Sequence, residues 1–439
     1  MARLTRRNLL AGAALGAGAV TGSTIAPRTS HAADRAGLRY GFGHTNDFGE
    51  QYYTGMTRIL ELFRHNEMDA LDDIITRMVE AIQNGGNVWM RANVGHMGGF
   101  ENNDTNPGNP GIIRSSQSFR QEDYEKVQPG DVFVTNSVNE QVRALRDKGV
   151  YVVGVPVNYI DNEYAPEGFV NPNVNNWRLG DVSSVILQSY IPYTQGIVDC
   201  PQIPEMKLFP SSANALYLIF WAIQGEVAVR LKNKRAKKME TAALVMDTII
   251  GRIHEAWRTE KDYMFDHAPT VAKMIGRGAH FHVTSDHGGV QSEANGVAMG
   301  PMMTNAFRKE MKKGDVHLLA SMYPESQIIV DEAKKAKDLG MYVVSIAPSN
   351  ATAIRGLSDV FIDNLCPEGA GLLDVKGYDS KIVTVSGVLN NTLMWIFTAQ
   401  FVDEMVRRGW IPWFWMGYYT VGGREYCEAV RPFFQRQGF

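Results

Sequence analysis

Apolar residues recur every three or four positions from Tyr52 to His65 and again from Asp69 to Gln83, where Leu71, Ile74, Ile75, Met78, Val79 and Ile82 form one stripe. The spacing predicts two amphipathic helices that stop at Gly85-Gly86. The same pattern returns from Thr241 to Trp257 and from Tyr263 to Ile275, stopping at Gly276 and Gly278. After each stop comes a short apolar run, Val88 to Ala92 and Phe281 to Val283, which reads as a strand. Each strand leads into a glycine-rich turn, Asn93 to Glu101 and Thr284 to Glu293. Both turns hold a histidine, a Gly-Gly pair and, a few residues on, a glutamate.

The parallel continues. A Gly-Asp turn precedes a second strand in both halves, at Gly130-Asp131 and Gly314-Asp315. Helices over Gln141 to Lys148 and Ile328 to Leu339 follow, then strands over Val150 to Val155 and Met341 to Ile346. The segment Val185 to Asp199 aligns without a gap onto Val360 to Asp374, and long helices begin near Asn214 and Asn391. Alternating strands and helices joined by short turns predict α/β architecture, with a doubly wound parallel sheet in each half of an internal duplication.

The amino-terminal residues stand outside this pattern. Thr5-Arg6-Arg7-Asn8-Leu9-Leu10 opens an Ala/Gly-rich stretch of modest hydrophobicity that runs to about Val20 and ends in Ser30-His31-Ala32-Ala33. Paired arginines, a weak apolar run and a small-residue cleavage site predict a twin-arginine export signal over 1–33, and hence a periplasmic or secreted protein. The run falls short of the ~20 apolar residues that span a bilayer, so no membrane partner is expected after cleavage. The rest divides into a domain over 34–231, a basic linker over 232–240 and a domain over 241–439 that ends in a dense aromatic tail, Trp410 to Tyr419.

A net charge of −3 leaves no basic footprint for nucleic acid. Three cysteines, Cys200, Cys366 and Cys427, give neither a disulfide framework nor metal-ligand spacing. His280 and His282 share one strand face near His287, but the sequence offers no clear carboxylate or fourth ligand to complete a site; no metal and no cofactor are expected.

The second half, from about Met246 to Gly423, resembles the SIS (sugar isomerase) domain, in particular small SIS-domain relatives of phosphosugar isomerases. The resemblance is carried by the paired leading helices, the strand and loop Phe281 to Glu293, Gly314-Asp315, the stretch Val360-Phe361-Ile362-Asp363-Asn364-Leu365-Cys366-Pro367-Glu368-Gly369, the helix Asn391 to Arg408 and Gly422-Gly423. It implies a flavodoxin-type sheet of five parallel strands in each half, ligands at the carboxyl ends of the strands, and a small-molecule sugar as partner. Homo-oligomerisation is compatible with it. The chain departs from the family at the serine-rich phosphate loop. The matching positions read Ser321-Met322-Tyr323-Pro324-Glu325-Ser326, with Ser137 among their counterparts in the first half. Bulky Tyr323, Pro324 and the negative Glu325 point to an unphosphorylated or atypical sugar.

Aldose–ketose isomerisation needs a group that moves a proton between adjacent carbons and donors that stabilise an enediolate. His287, Glu293 and Glu368 are the candidate catalytic residues. Ser285, Asp286, Ser321, Tyr323, Ser326, Asp363 and Asn364 are candidate substrate contacts, joined from the first half by His96, Glu101 and Ser137. Each has a plainer reading: a loop histidine bonded to backbone, a glutamate favouring a helix start, an Asp-Asn pair capping a turn. An isomerase, a lyase or etherase with the same α-proton chemistry, and a non-catalytic sugar-binding protein all fit these residues.

Overall fold

The computed structural model describes residues 47–91, 106, 108–114, 121–171, 175–233, 235–286, 289–295, 298–304, 310–369 and 371–439. The expected export signal and the candidates His96, Glu101 and His287 lie outside them.

Two parallel sheets carry the fold. The first runs β2-β1-β3-β4-β5, from β1 (Val88–Arg91), β2 (Ile113–Arg114), β3 (Val132–Thr135), β4 (Tyr151–Gly154) and β5 (Val185–Ile186), every pair parallel. Beyond it lies a short antiparallel pair, β6 (Gly196–Val198) and β7 (Leu208–Pro210). The second sheet runs β11-β10-β9-β8, from β8 (Phe281–Ser285), β9 (Val316–Ala320), β10 (Tyr342–Ala347) and β11 (Val360–Asp363), also parallel throughout. Among the described residues it has four strands where the resemblance implied five. The central strands β3 and β9 are buried along their whole length, as sheets covered on both faces require.

Helices α1 (Phe48–Asn66) and α2 (Met68–Gln83) open the first half, α3 (Glu140–Asp147) follows β3, and α4 (Ser212–Lys232) closes it. The second half opens with α5 (Glu240–Gly276) and continues through α6 (Val290–Ala294), α7 (Gln327–Asp338), α8 (Thr352–Leu357), α9 (Ser386–Arg407) and α10 (Gly423–Gln437). One sequence expectation is corrected here: the two helices read over 241–257 and 263–275 are one helix, α5. Arg258 to Asp262, between them, contain neither glycine nor proline, so nothing stops the first helix. Pro269 is accommodated within it.

α4 is buried at every position from Ser212 to Ala228, and α9 at every position from Ser386 to Val406. Helices buried all round belong at the centre of a molecule. Here α9 packs against α1 and α5, and α4 against α5 and α2, so helices from opposite ends of the chain share one core. The Gly49 amide donates to Gln400 Oε1 at 3.3 Å across that contact. The basic linker is pinned at its ends: buried Glu226 accepts from Arg230, from the Met239 amide at 2.8 Å and from the Ala242 amide at 2.9 Å. No described helix is long and apolar enough to cross a membrane.

The repeat holds at the level of single contacts. Asp131 accepts from the Asn87 amide at 2.7 Å, Trp89 Nε1 at 2.8 Å and the Gln128 amide at 2.9 Å. Asp315 accepts from the His280 amide at 2.8 Å, lies 3.1 Å from His282 Nε2 and accepts from the Lys312 amide at 3.1 Å. Each aspartate thus ties the leading strand of its half to the turn before the second strand. Left-handed backbone recurs at matched places, at Tyr190 (φ 60°) and Leu365 (φ 56°), then at Phe209 (φ 60°) and Val383 (φ 70°). The last two lead directly into α4 and α9. A β-branched residue in this region is strained, so Val383 marks a turn the surroundings enforce.

Gly196 and Gly371 are equivalent as well. A Cβ at Gly196 would stand 2.2 Å from the Lys207 carbonyl oxygen, and one at Gly371 would stand 2.1 Å from that of Lys381. Gly196→Ala and Gly371→Ala are each expected to cost about 1–3 kcal/mol, because backbone has to move to admit the methyl group. Urea denaturation measures this, and a variant as stable as the parent would show that the strand pair yields more easily than its contacts indicate.

Candidate functional site

In open parallel sheets ligands collect at the carboxyl ends of the strands. β8 ends at Ser285, with Asp286 next to it, and the following helix α6 carries Glu293 into the core. Only 5% of this residue is exposed. Burial drives the Glu293 carboxyl up to about 8; the nearby Trp395 indole opposes this without closing a hydrogen bond. At neutral pH the side chain therefore holds its proton.

Glu293 faces groups from both halves. Its charge, when present, would raise the phenols of Tyr52 on α1 and Tyr159 beyond β4, and burial already pushes both well up. The Tyr52 hydroxyl donates to the Pro210 carbonyl at 2.9 Å and accepts from Asn214 Nδ2 at 3.0 Å. Gln195 Nε2 donates to the Ala298 carbonyl at 2.9 Å and stands 3.4 Å from the Tyr159 hydroxyl. Phe209, turned by its left-handed backbone, places its ring 6.5 Å from Tyr52, 5.9 Å from Trp395 and 5.5 Å from Phe414 of the aromatic tail. The tail is held there by the Met302 amide donating to the Trp413 carbonyl and the Met299 amide to the Trp415 carbonyl, both at 2.7 Å.

Several buried polar atoms here lack a protein partner: Glu293 Oε1, Asn214 Oδ1, Trp395 Nε1 and both amide atoms of Asn391. Asn391 and Trp395 lie four residues apart and so on one face of α9. Native proteins leave few buried polar groups unpaired, and a cluster of them marks a place where water or ligand completes the set.

The other predicted residues divide clearly. Asp286 is taken up by its neighbours: Ser321 Oγ donates to one oxygen at 2.6 Å and the Met322 amide to the other at 3.1 Å. Asn364 and Asn390 both donate to the Ser321 carbonyl, at 3.2 and 3.0 Å. Asp363 caps the Leu365 amide at 2.9 Å, and Ser285 Oγ accepts from the Gln291 amide at 3.2 Å. Tyr323 is half-buried, and Ser326 precedes α7 without a side-chain capping bond. Glu368 pairs with Arg252, whose guanidinium also lies 3.4 Å from the Cys366 thiol. Ser137, at the matching edge of the first sheet, is buried with its hydroxyl unpartnered. Glu293 thus meets Tyr52, Tyr159 and Trp395, whereas Asp286, Ser321 and Asn364 form a separate hydrogen-bonded group.

Sequence reasoning passed over Tyr52, Tyr159, Asn214, Asn391 and Trp395. Their signal was available in part: amides inside otherwise apolar helices have to be satisfied by something. A cleft of about 490 Å³ also opens at the amino ends of β3 and β4, beside Arg77, Glu80, Asp131 and Arg146. It lies at the opposite edge of the sheet from these groups.

No family model matches the chain. A curated relative, the UPF0309 protein of Brucella anthropi, is 28% identical over 121 residues, which is 26% of this chain and 50% of the relative. The chain therefore spans about half the length of that relative. Among solved structures, tagatose-6-phosphate ketose/aldose isomerase from Escherichia coli aligns over 87% of this chain and 95% of its own, with a TM-score of 0.47 and 12% identity. The C-terminal domain of glucosamine-fructose-6-phosphate aminotransferase from Francisella tularensis aligns over 83% and 98%, with a TM-score of 0.46 and 10% identity.

Proposed function

We propose that the chain is an exported, carbohydrate-active protein of the SIS type that isomerises an unphosphorylated or atypical sugar by proton transfer next to a carbonyl. The observation that carries this reading is the buried, proton-holding Glu293 among unpaired polar groups contributed by both halves. A carboxyl that titrates near 8 exchanges its proton readily at working pH. It can give that proton to the carbonyl oxygen and, thus ionised, take the proton from the neighbouring carbon, so that an enediol forms and the carboxyl is protonated again. The hydroxyls of Tyr52 and Tyr159 keep their protons; that of Tyr52 is engaged by the Pro210 carbonyl, which leaves Tyr159 as the donor to a sugar oxygen.

Asp286 supports the unphosphorylated ligand. The Ser321 hydroxyl and the Met322 amide are donors of the kind that hold a phosphate, and here they already hold a carboxylate. A phosphate arriving there would meet a like charge and occupied donors.

Thermal stabilisation of the exported form by a panel of sugars and their phosphates tests the reading. Parent sugars are expected to stabilise it at least as well as their 6-phosphates, and Asp286→Ser is expected to gain phosphate binding. A 6-phosphosugar bound a hundredfold more tightly by the native chain, ~2.7 kcal/mol, would overturn the unphosphorylated assignment. A second reading, a sugar-binding protein without turnover, is favoured by the amide and aromatic make-up around Glu293 and by the pairing of Glu368 with Arg252. Stabilisation by a sugar that is returned unchanged after prolonged incubation would select it.

A further inference from the structure

The aspartate clamp in the second half has a feature its counterpart lacks. Where Trp89 donates to Asp131, the second half has His282 beside Asp315, and His280 stands two residues earlier on the same strand face. His282 Nε2 lies 3.1 Å and His280 Nδ1 3.5 Å from the same oxygen, Asp315 Oδ2. The three ligand atoms all fall within 4.8 Å of one another. Tetrahedral ligation with bonds of about 2.0 Å places ligand atoms about 3.3 Å apart, and the two separations from Asp315 Oδ2 bracket that value.

We infer that His280, His282 and Asp315 form a divalent-cation site of the zinc class at the amino ends of β8 and β9. Two imidazoles and a carboxylate are a donor set that zinc and its neighbours accept, with solvent as the fourth ligand. The carboxylate is oriented in advance: Oδ1 is held by the His280 amide at 2.8 Å and Oδ2 by the Lys312 amide at 3.1 Å. Asp315 is fully buried and the His282 side chain nearly so, while the His280 side chain is 22% exposed and gives the ion its way in. The cation replaces the proton shared between His282 Nε2 and Asp315 Oδ2, so the clamp is kept and strengthened. The site lies at the opposite sheet edge from Glu293, which makes the ion a structural tie between two strands.

Full-length protein stripped with a chelator and titrated with zinc chloride in a calorimeter provides the test. One zinc per chain is expected, because Trp89 denies the first half an equivalent site, together with a rise in melting temperature. Cobalt(II) should give the visible absorption of tetrahedral N/O ligation. His280→Ala keeps the backbone amide that holds Asp315, and His282→Gln keeps a donor to it. Both variants should fold and melt like the parent in chelator, yet bind zinc at least tenfold more weakly. Absence of zinc binding by the native chain, or unchanged binding in both folded variants, would overturn the inference.

Discussion

Glu293→Gln is expected to lower the proposed turnover of a sugar by roughly 10²–10⁴-fold, the usual contribution of a positioned acid–base group. The amide is isosteric with the protonated carboxyl, so binding should change far less than turnover. The same variant should alter how stability depends on pH. Burial raises the folded-state value from 4.5 to about 8, so the folded chain binds a proton that the unfolded chain releases. The stability tied to that proton is complete below pH 4.5 and is lost as pH rises through 8. The loss amounts to about 3–5 kcal/mol. Urea denaturation at pH 5 and pH 8.5 should find the native chain weakened at the higher value and Glu293→Gln weakened less. Near-normal turnover in the variant would remove Glu293 from the mechanism, and parallel stability profiles would mean that its carboxyl is not held neutral.

The second large effect concerns stability alone. Asp131→Ala and Asp315→Ala are each expected to destabilise the fold by about 3–5 kcal/mol, because each exposes three donors that met a buried carboxylate. In chelator the two variants should fall by similar amounts, as equivalent members of a repeat. A loss under 1 kcal/mol in either would mean that its donors find other partners.

The repeat was legible in the sequence because it is written in local signals: Gly-Asp turns, apolar runs ended by glycine, and the ungapped match of Val185 to Asp199 with Val360 to Asp374. Parallel pairing followed from the alternation of strands and helices. Less was legible at the site. Glu293 could be singled out from its place after a leading strand, but its companions Tyr52, Asn214 and Trp395 come from helices whose stripes read only as core. What makes them a site is the crossing of α9 with α1, a long-range contact that no local pattern records. Asp363 and Asn364 showed the reverse difficulty. Their segment looks like a ligand loop, and in the structure their side chains are engaged by the Leu365 amide, Asn390 and the Ser321 carbonyl. Asp315 was noted as a turn residue, and only the pairing of β8 with β9 brings it to His280 and His282.

The packing of α9 against α1 also bears on the order of events during synthesis. Gly49 meets Gln400 across 351 positions of chain, and Asp47 meets Arg407 across 360. Closing loops of that length is slow relative to local helix and hairpin formation. On the ribosome the first half can assemble its own sheet, but α1 leaves an apolar face open until α9 has been synthesised. The partly built chain is thus most exposed to aggregation between the emergence of α1 and that of α9. A chaperone that covers α1 during that interval would raise the folded yield without altering the stability of the finished protein.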